Sequence, residues 1–306
     1  MMKNKLLLLI VSVAAILIIS FFSLTMNRQN DSIKIASVVT TEGQILAYMM
    51  KDMIEHYTDE KVELINNLGS STVLHQAMLN GDANISAVRY TGTDLTGALQ
   101  SEPIKDPEEA LAYVQKTFDE RFNQTFFDSY GFENTYAFMV TKETAEKYNL
   151  QKVSDLANVA GELEAGVDTS WMNREGDGYK AFVEAYGFDF ARTYPMQIGL
   201  VYDAVDSGEL DVVLGYTTDG RIASYDLVVL EDDLNFFPPY DASPFADTAL
   251  LEEKPEVKKA IERLIGKIST ETMQELNYLA DNNLIEPAVV AEQFLIEHNY
   301  FSGGDE

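Results

Sequence analysis

The feature that most constrains this chain is a change of periodicity that recurs along its length. From Ser32 onward, short β-rich runs alternate with stretches of helical period, the pattern of α/β lobes. SIKIASVV reads as a strand. The following TTEGQILAYMMKDMIEHY places Ile45, Leu46, Met49, Met50, Met53 and Ile54 on one helical stripe, which period 3.6 alone assigns to a core. KVELINNLG is a second strand, STVLHQAMLNG a helix stopped by Gly81, and ANISAVRY a third strand. Residues 97–133 read as helical and polar, with no motif. At TYAFMV a new series opens: helix TKETAEKYN, strand ELEAGV, helices YKAFVEAYG and GLVYDAVDSG, then strands LDVVLGY and YDLVVLED. The stretch FFPPYDASPF follows as a stiff strap, because proline fixes its own φ and biases the residue before it. Three amphipathic helices, PEVKKAIERLIGKI, TETMQELNYLADN and PAVVAEQFLIEHNYF, then close the chain before a fraying SGGDE tail.

The N-terminal segment is a different object. Lys3 and Lys5 precede an almost wholly apolar run that reaches Met26, about the length that spans a bilayer. The positive flank predicts a cytoplasmic N-terminus with everything after Asn27 outside. Phe21, Phe22, Leu24 and Met26 are poor residues for a signal-peptidase site, so an uncleaved anchor over residues 1–31 is favoured over a cleaved signal. Either way the rest is exported. The remaining length, at 46% hydrophobic composition, suits two globular lobes.

Several chemistries are excluded. With no cysteine there are no disulfides, thiolate metal sites, thiol nucleophiles or lipidated N-terminal cysteine. A net charge of −28 disfavours nucleic acid and anionic membrane surfaces, and reads first as solubility. His56, His75 and His298 stand in no ligand spacing, and neither a phosphate-binding P-loop nor a G-x-S-x-G elbow is present. Acidic pairs such as Asp232-Asp233 sit beside polar turns. The chain does not read as an enzyme, and it calls for no metal or cofactor.

Four tyrosines fall where strands end or cross over: Tyr90, Tyr136, Tyr216 and Tyr240. Quaternary ammonium carries no N–H donor, so aromatic faces are its natural recognition element. Tyrosines also pack at ordinary interfaces, and position alone leaves both readings open. NGDANISAVRYTGTD and SGELDVVLGYTTDG echo one another, which puts Tyr90 and Tyr216 at related strand ends, where α/β sheets bind ligands. Ser70, Ser71 and Thr72 open a helix after the second strand. They read either as caps or as an anion site for a carboxylate. Gln44 is similarly two-sided, with ligand contact the favoured reading. It completes a capping-box pattern with Thr41, and it opens the helix after the first strand, where a ligand would sit.

With these residues assembled, the chain resembles the substrate-binding proteins of osmoprotectant ABC importers, which bind glycine betaine, carnitine, choline and related compounds. NNLGSSTVLHQAM, RYTGTDLTGAL, DVVLGYTTDGRI, FFPPYDASP and KISTETMQELNY carry the resemblance, which covers about residues 33–301. It implies an α/β, type II periplasmic-binding-protein fold with two lobes joined by two crossovers. Lobe 1 would comprise residues 32–134 plus 240–306, and lobe 2 residues 135–239. It carries a tyrosine cage onto Tyr90, Tyr136, Tyr216 and Tyr240, and a polar position beside the ligand head onto Thr72. The neutral Thr72 hydroxyl implies broad specificity, where an aspartate would select choline. The partners implied are a quaternary ammonium ligand and an ABC permease and ATPase on separate chains, with the binding protein a monomer. The lipobox cysteine common in such proteins is missing here, which replaces a lipid anchor with the N-terminal helix. An amino-acid or polyamine receptor of the same fold is the alternative, and an exported sensor or adhesion module a more distant one.

Overall fold

A computed structural model describes residues 32–174 and 178–302. The expected membrane anchor over residues 1–31 and the end of the tail lie outside the described residues. Among the described residues no helix is long and apolar enough to cross a membrane.

The strands are β1 (Ile33–Val38), β2 (Val62–Leu68), β3 (Ile85–Tyr90), β4 (Gln124–Phe126), β5 (Tyr136–Thr141), β6 (Glu164–Asp168), β7 (Arg192–Met196), β8 (Val212–Tyr216), β9 (Leu227–Val229) and β10 (Ala242–Asp247). They form two five-stranded mixed sheets, ordered β2-β1-β3-β10-β4 and β7-β6-β8-β5-β9. In the first sheet β1 runs parallel to β2 and β3, and β10 antiparallel to β3 and β4. In the second sheet β6 runs parallel to β7 and β8, and β5 antiparallel to β8 and β9. The chain thus leaves the first sheet after β4, builds the whole second sheet, and returns in β10. The two crossovers lie side by side, with Glu133 bridged to Asp241 and the Asn134 N–H donating to the Tyr240 carbonyl at 3.1 Å.

The two lobes fill their interiors differently. In the first, the predicted stripe of helix Thr41–Tyr57 is fully buried, and the C-terminal helices Pro255–Glu262, Thr270–Asp281 and Pro287–Glu297 cover it with Val257, Ile261, Met273 and Leu295. Flexible methionines suit a core assembled from chain segments more than 200 positions apart. The second core is aromatic: Phe138, Trp171, Phe182, Phe190, Phe236 and Phe237 pack together, with Phe138 and Phe182 centroids 4.7 Å apart.

Several elements depart from the sequence expectation. Short β4 and helix Thr91–Thr96 lie in or beside the stretch read as polar helix, and β7 was unread because Pro195 breaks its β pattern. A proline is tolerated there because β7 is an edge strand. The second half of the strap is not a strap at all. From Ala242 it becomes β10, and Pro244 falls where the β3 register shifts, the place a central strand accommodates a residue with no N–H.

Candidate ligand-binding site

RYTGTD, residues 89–94, shows how local sequence builds one wall. Arg89 and Asp94 form a buried pair, with Nε to Oδ2 at 2.8 Å, that locks the turn from β3 into helix Thr91–Thr96. Tyr90 ends β3. The Thr91 hydroxyl donates to the Pro239 carbonyl at 3.0 Å and accepts from the Asp241 N–H at 3.1 Å, which rivets the returning strap to the strand end. Gly92 must lack a side chain: a Cβ there would lie 2.7 Å from the Pro239 carbonyl oxygen and 3.1 Å from the Tyr240 ring. Tyr240 is therefore seated directly over Gly92, while Phe236 and Phe237 just before it are buried in the other lobe.

The opposite wall comes from sheet register. Tyr136 and Tyr216 are directly paired across β5 and β8, with ring centroids 5.0 Å apart and an interplanar angle of 36°. Tyr202 fixes the backbone beneath them, its hydroxyl accepting from the Tyr216 N–H at 2.7 Å. Tyr90 and Tyr216 occupy corresponding places, each ending the parallel strand that adjoins the antiparallel one.

All four tyrosines line one cavity of about 340 Å³ between the lobes, together with Gly69, Ser70, Ser71, Asn134 and Arg174. Strand ends of both sheets converge there, as expected for α/β folds. A larger space of about 540 Å³ adjoins it, sharing Thr93, Arg174 and Tyr240 and extending to Lys105, Phe236 and Pro238. We centre the site on the smaller cavity, because the larger is reached by Tyr240 alone of the four rings.

The other expected positions divide. Ser71 lines the tyrosine cavity, whereas Ser70 also caps helix Ser71–Leu79 by accepting from the Val73 N–H at 3.2 Å. Thr72 is exposed and lines a neighbouring cleft with His75 and Gln76. Gln44 is turned to the Val39 carbonyl at 3.1 Å and to Asn67 Oδ1 at 3.3 Å, outside the cavity lining. The cap of helix Thr41–Tyr57 is Thr40, which accepts from the Gly43 N–H, while the Thr41 hydroxyl donates to Asp281. Thr41 is already inside the helix and cannot cap it.

Sequence reasoning missed Arg174, whose guanidinium carbon lies 5.3 Å from the centre of the Tyr136 ring. The available signal was its place a few residues beyond the carboxyl end of β6, where ligand-contacting groups of α/β sheets gather. It also missed Glu42, buried in the first turn of helix Thr41–Tyr57, which accepts from the Tyr90 hydroxyl and from Asn134 Nδ2 at 3.2 Å. Burial pushes the Glu42 carboxyl above its ordinary value, opposed by the bonds from Tyr90, Thr218, Asn134 and Asn277. Burial also raises the Tyr90 and Tyr136 phenols, reinforced by Glu42 in the first case and by Tyr216 and Asp168 in the second. Both therefore remain neutral donors at physiological pH.

The two walls are tied together at helix Thr270–Asp281. Gln274 Nε2 donates to the Thr217 carbonyl at 2.7 Å and Asn277 Nδ2 to the Thr218 carbonyl at 2.9 Å. Gly220 packs so tightly on this helix that a Cβ would come within 2.6 Å of the Tyr278 backbone nitrogen. The YTTDG and TMQELNY motifs are thus two sides of one contact between lobes.

Comparisons with known proteins identify the relatives of this chain. Residues 31–297 match the family model described as the substrate binding domain of the ABC-type glycine betaine transport system, OpuAC. The chain is 60% identical over 273 residues to the carnitine transport binding protein OpuCC of Listeria monocytogenes, covering 89% of each. It is 31% identical to a glycine-betaine-binding protein of Pseudomonas aeruginosa, over 90% of this chain and 91% of that one. The crystal structure of a glycine betaine/carnitine/choline ABC transporter superposes with a TM-score of 0.86 at 60% identity, covering 88% of this chain and 100% of that chain. A two-lobed α/β receptor architecture with a tyrosine-lined cavity at the lobe junction, matched over nearly its whole described length, places this chain in the OpuAC family of ABC-importer substrate-binding domains.

Proposed function

We propose that the chain captures zwitterionic quaternary ammonium osmolytes, glycine betaine and carnitine before choline, and hands them to an ABC permease. The observation that carries this reading is the union of four tyrosines and one arginine around a single cavity. The rings offer negative faces to a methylated cation, each close contact contributing about 0.5–2 kcal/mol. Arg174 and the N-terminus of helix Ser71–Leu79 offer a carboxylate its partners. Choline lacks that second charge, so it is expected to bind more weakly. Among the described residues, none lining the cavity is an aspartate or glutamate, so those residues give a polyamine or a lysine side chain no carboxylate acceptor for its N–H groups.

In this reading the fold is of the periplasmic-binding type II, with lobe 1 formed by residues 32–134 plus 240–306 and lobe 2 by 135–239. Ligand shifts the population toward a closed state, because only there do both walls touch it. Tyr90, Tyr136, Tyr216, Tyr240, Ser71 and Arg174 contact the ligand, while Thr72 and Gln44 act from beyond the cavity wall. The protein works as a monomer, held on the outer face of the membrane by the N-terminal segment, with permease and ATPase on other chains.

Calorimetric titration of the full-length chain in detergent tests the reading. Glycine betaine and carnitine are expected to bind, choline to bind more weakly, and lysine and spermidine not to compete. Flat titrations with every methylated ammonium compound, or displacement by spermidine, would overturn it. For the anchor, the chain is expected to stay in the membrane pellet after alkaline extraction, and a mature N-terminus beyond residue 26 would refute that part alone.

A further inference from the structure

In each lobe, one wall tyrosine donates its hydroxyl to an acid that the fold has buried. Tyr90 donates to Glu42, which is 4% exposed, and Tyr136 to Asp168 Oδ2 at 3.0 Å, which is 7% exposed. Burying an acid is costly, so each pairing needs a reason. Asp168 has a partial one, since it caps the helix Thr169–Met172 by accepting from the Trp171 N–H at 3.1 Å. Glu42 has none of that kind, because its helix is already capped by Thr40. The partners of Glu42 are neutral: the Tyr90 hydroxyl, Asn134 Nδ2, Asn277 Nδ2 at 3.4 Å, and Thr218. It also sits in the first turn of its helix, where the macrodipole favours negative charge. Donors thus reach both Glu42 carboxyl oxygens, and neither acid lines the cavity.

We propose that Glu42 and Asp168 are specificity-determining positioning residues, two buried acids set behind Tyr90 and Tyr136 that hold those phenols and make their faces more negative toward a permanent cation. The inference rests on the tyrosine-cage reading above and deepens it. A phenol that donates to an anion is polarised, and electron density moves from the hydroxyl into the ring. Attraction of a cation to that ring is electrostatic, so it strengthens accordingly. Placement behind the ring matters as much as the charge. An acid in contact with the ligand would recruit primary amines through their N–H groups, whereas an acid behind a ring acts by its field alone. The cavity thereby gains cation affinity without gaining affinity for amino groups.

The test compares glycine betaine with 3,3-dimethylbutanoate, its isostere in which carbon replaces the charged nitrogen. Both carry the same carboxylate, so contributions from Arg174 and the helix terminus cancel in the ratio of their affinities. Titrated calorimetrically with the full chain, the wild type is expected to prefer betaine. Glu42→Gln and Asp168→Asn, which keep an acceptor but lose the charge, should each lower that preference by about threefold or more while isostere affinity stays within about twofold. A merely structural role would weaken both ligands in step and leave the ratio unchanged, which would overturn the proposal. Tyr90→Phe cuts the bond while keeping both the ring and Glu42 and should lower the ratio as well, so it decides the matter for Glu42 if Glu42→Gln fails to fold. A wild type with no preference for betaine overturns the cage reading and this inference together, whereas a retained preference with an unchanged ratio in the variants overturns this inference alone.

Discussion

The two lobes carry the same strand order, yet they present their tyrosines by different means. In the second lobe, Tyr136 and Tyr216 are cross-strand neighbours, and sheet register alone brings their rings together. In the first lobe, Tyr90 ends a strand, but Tyr240 arrives on a returning strap that must be held down by Thr91 and given room by Gly92. One wall is a property of a sheet. The other is a joint between distant segments, and a joint has more ways to fail.

The difference predicts an order of effects. The largest is expected at Gly92→Ala, because the added methyl meets a backbone carbonyl that cannot rotate away. Overpacking of this kind costs about 1–3 kcal/mol, and here it should appear as about 5- to 150-fold weaker betaine binding by calorimetry. Wild-type affinity in this variant would mean that the strap yields freely, and the contrast between walls would collapse. Next comes Tyr216→Ala, expected to weaken binding by about 0.5–2 kcal/mol with little change in the other wall. Comparison with Tyr240→Ala sharpens the picture. If the strap only positions a ring, Tyr240→Ala should cost no more than Tyr216→Ala. Thr91→Val removes two hydrogen bonds to the strap and should cost about 1 kcal/mol in binding or melting free energy. A null result there would leave Gly92 as the sole seat of Tyr240.

The smallest predicted effect concerns the crossovers that join the walls. Glu133 and Asp241 face each other across them. Burial raises the Glu133 carboxyl above its ordinary value, with Asp241 and Asp232 adding to the shift, and burial raises Asp241 too. An acid whose folded value is raised contributes stability that is full below the unfolded value and is lost as pH rises through the folded one. Glu133 is nonetheless exposed, so solvent screens the effect: Glu133→Gln should melt only slightly above the wild type at neutral pH, with the gap closing as pH falls below the ordinary carboxylate range. A gap independent of pH would assign the effect to packing rather than charge.

Much of this was legible in the sequence because it is local. The strand-helix alternation, the methionine stripe of helix Thr41–Tyr57 and the echo between the Tyr90 and Tyr216 strand ends each follow from spacing within a short window. The illegible parts are those where partners lie far apart. Pro195 and Pro244 hid β7 and part of β10, since only the finished sheet shows that one strand is an edge and the other carries a register shift. Arg174 offered only its place beyond the carboxyl end of β6, and Glu42 gave no pattern at all. The first is defined by the cavity it lines, and the second by donors from positions 90, 134 and 277.

By itself the sequence determined the α/β lobes, the apolar N-terminal run, the exclusion of thiol and histidine chemistry, and the four tyrosines with the motifs around them. These are consequences of composition and short-range periodicity, which the order of residues encodes directly. Only the tertiary structure decided that Ser71 reaches the cavity while Thr72 faces a neighbouring cleft, that an arginine shares the space with the rings, and that buried acids stand behind two of them. Those outcomes depend on which of many long-range approaches the packed core permits, and spacing along the chain carries no record of that choice.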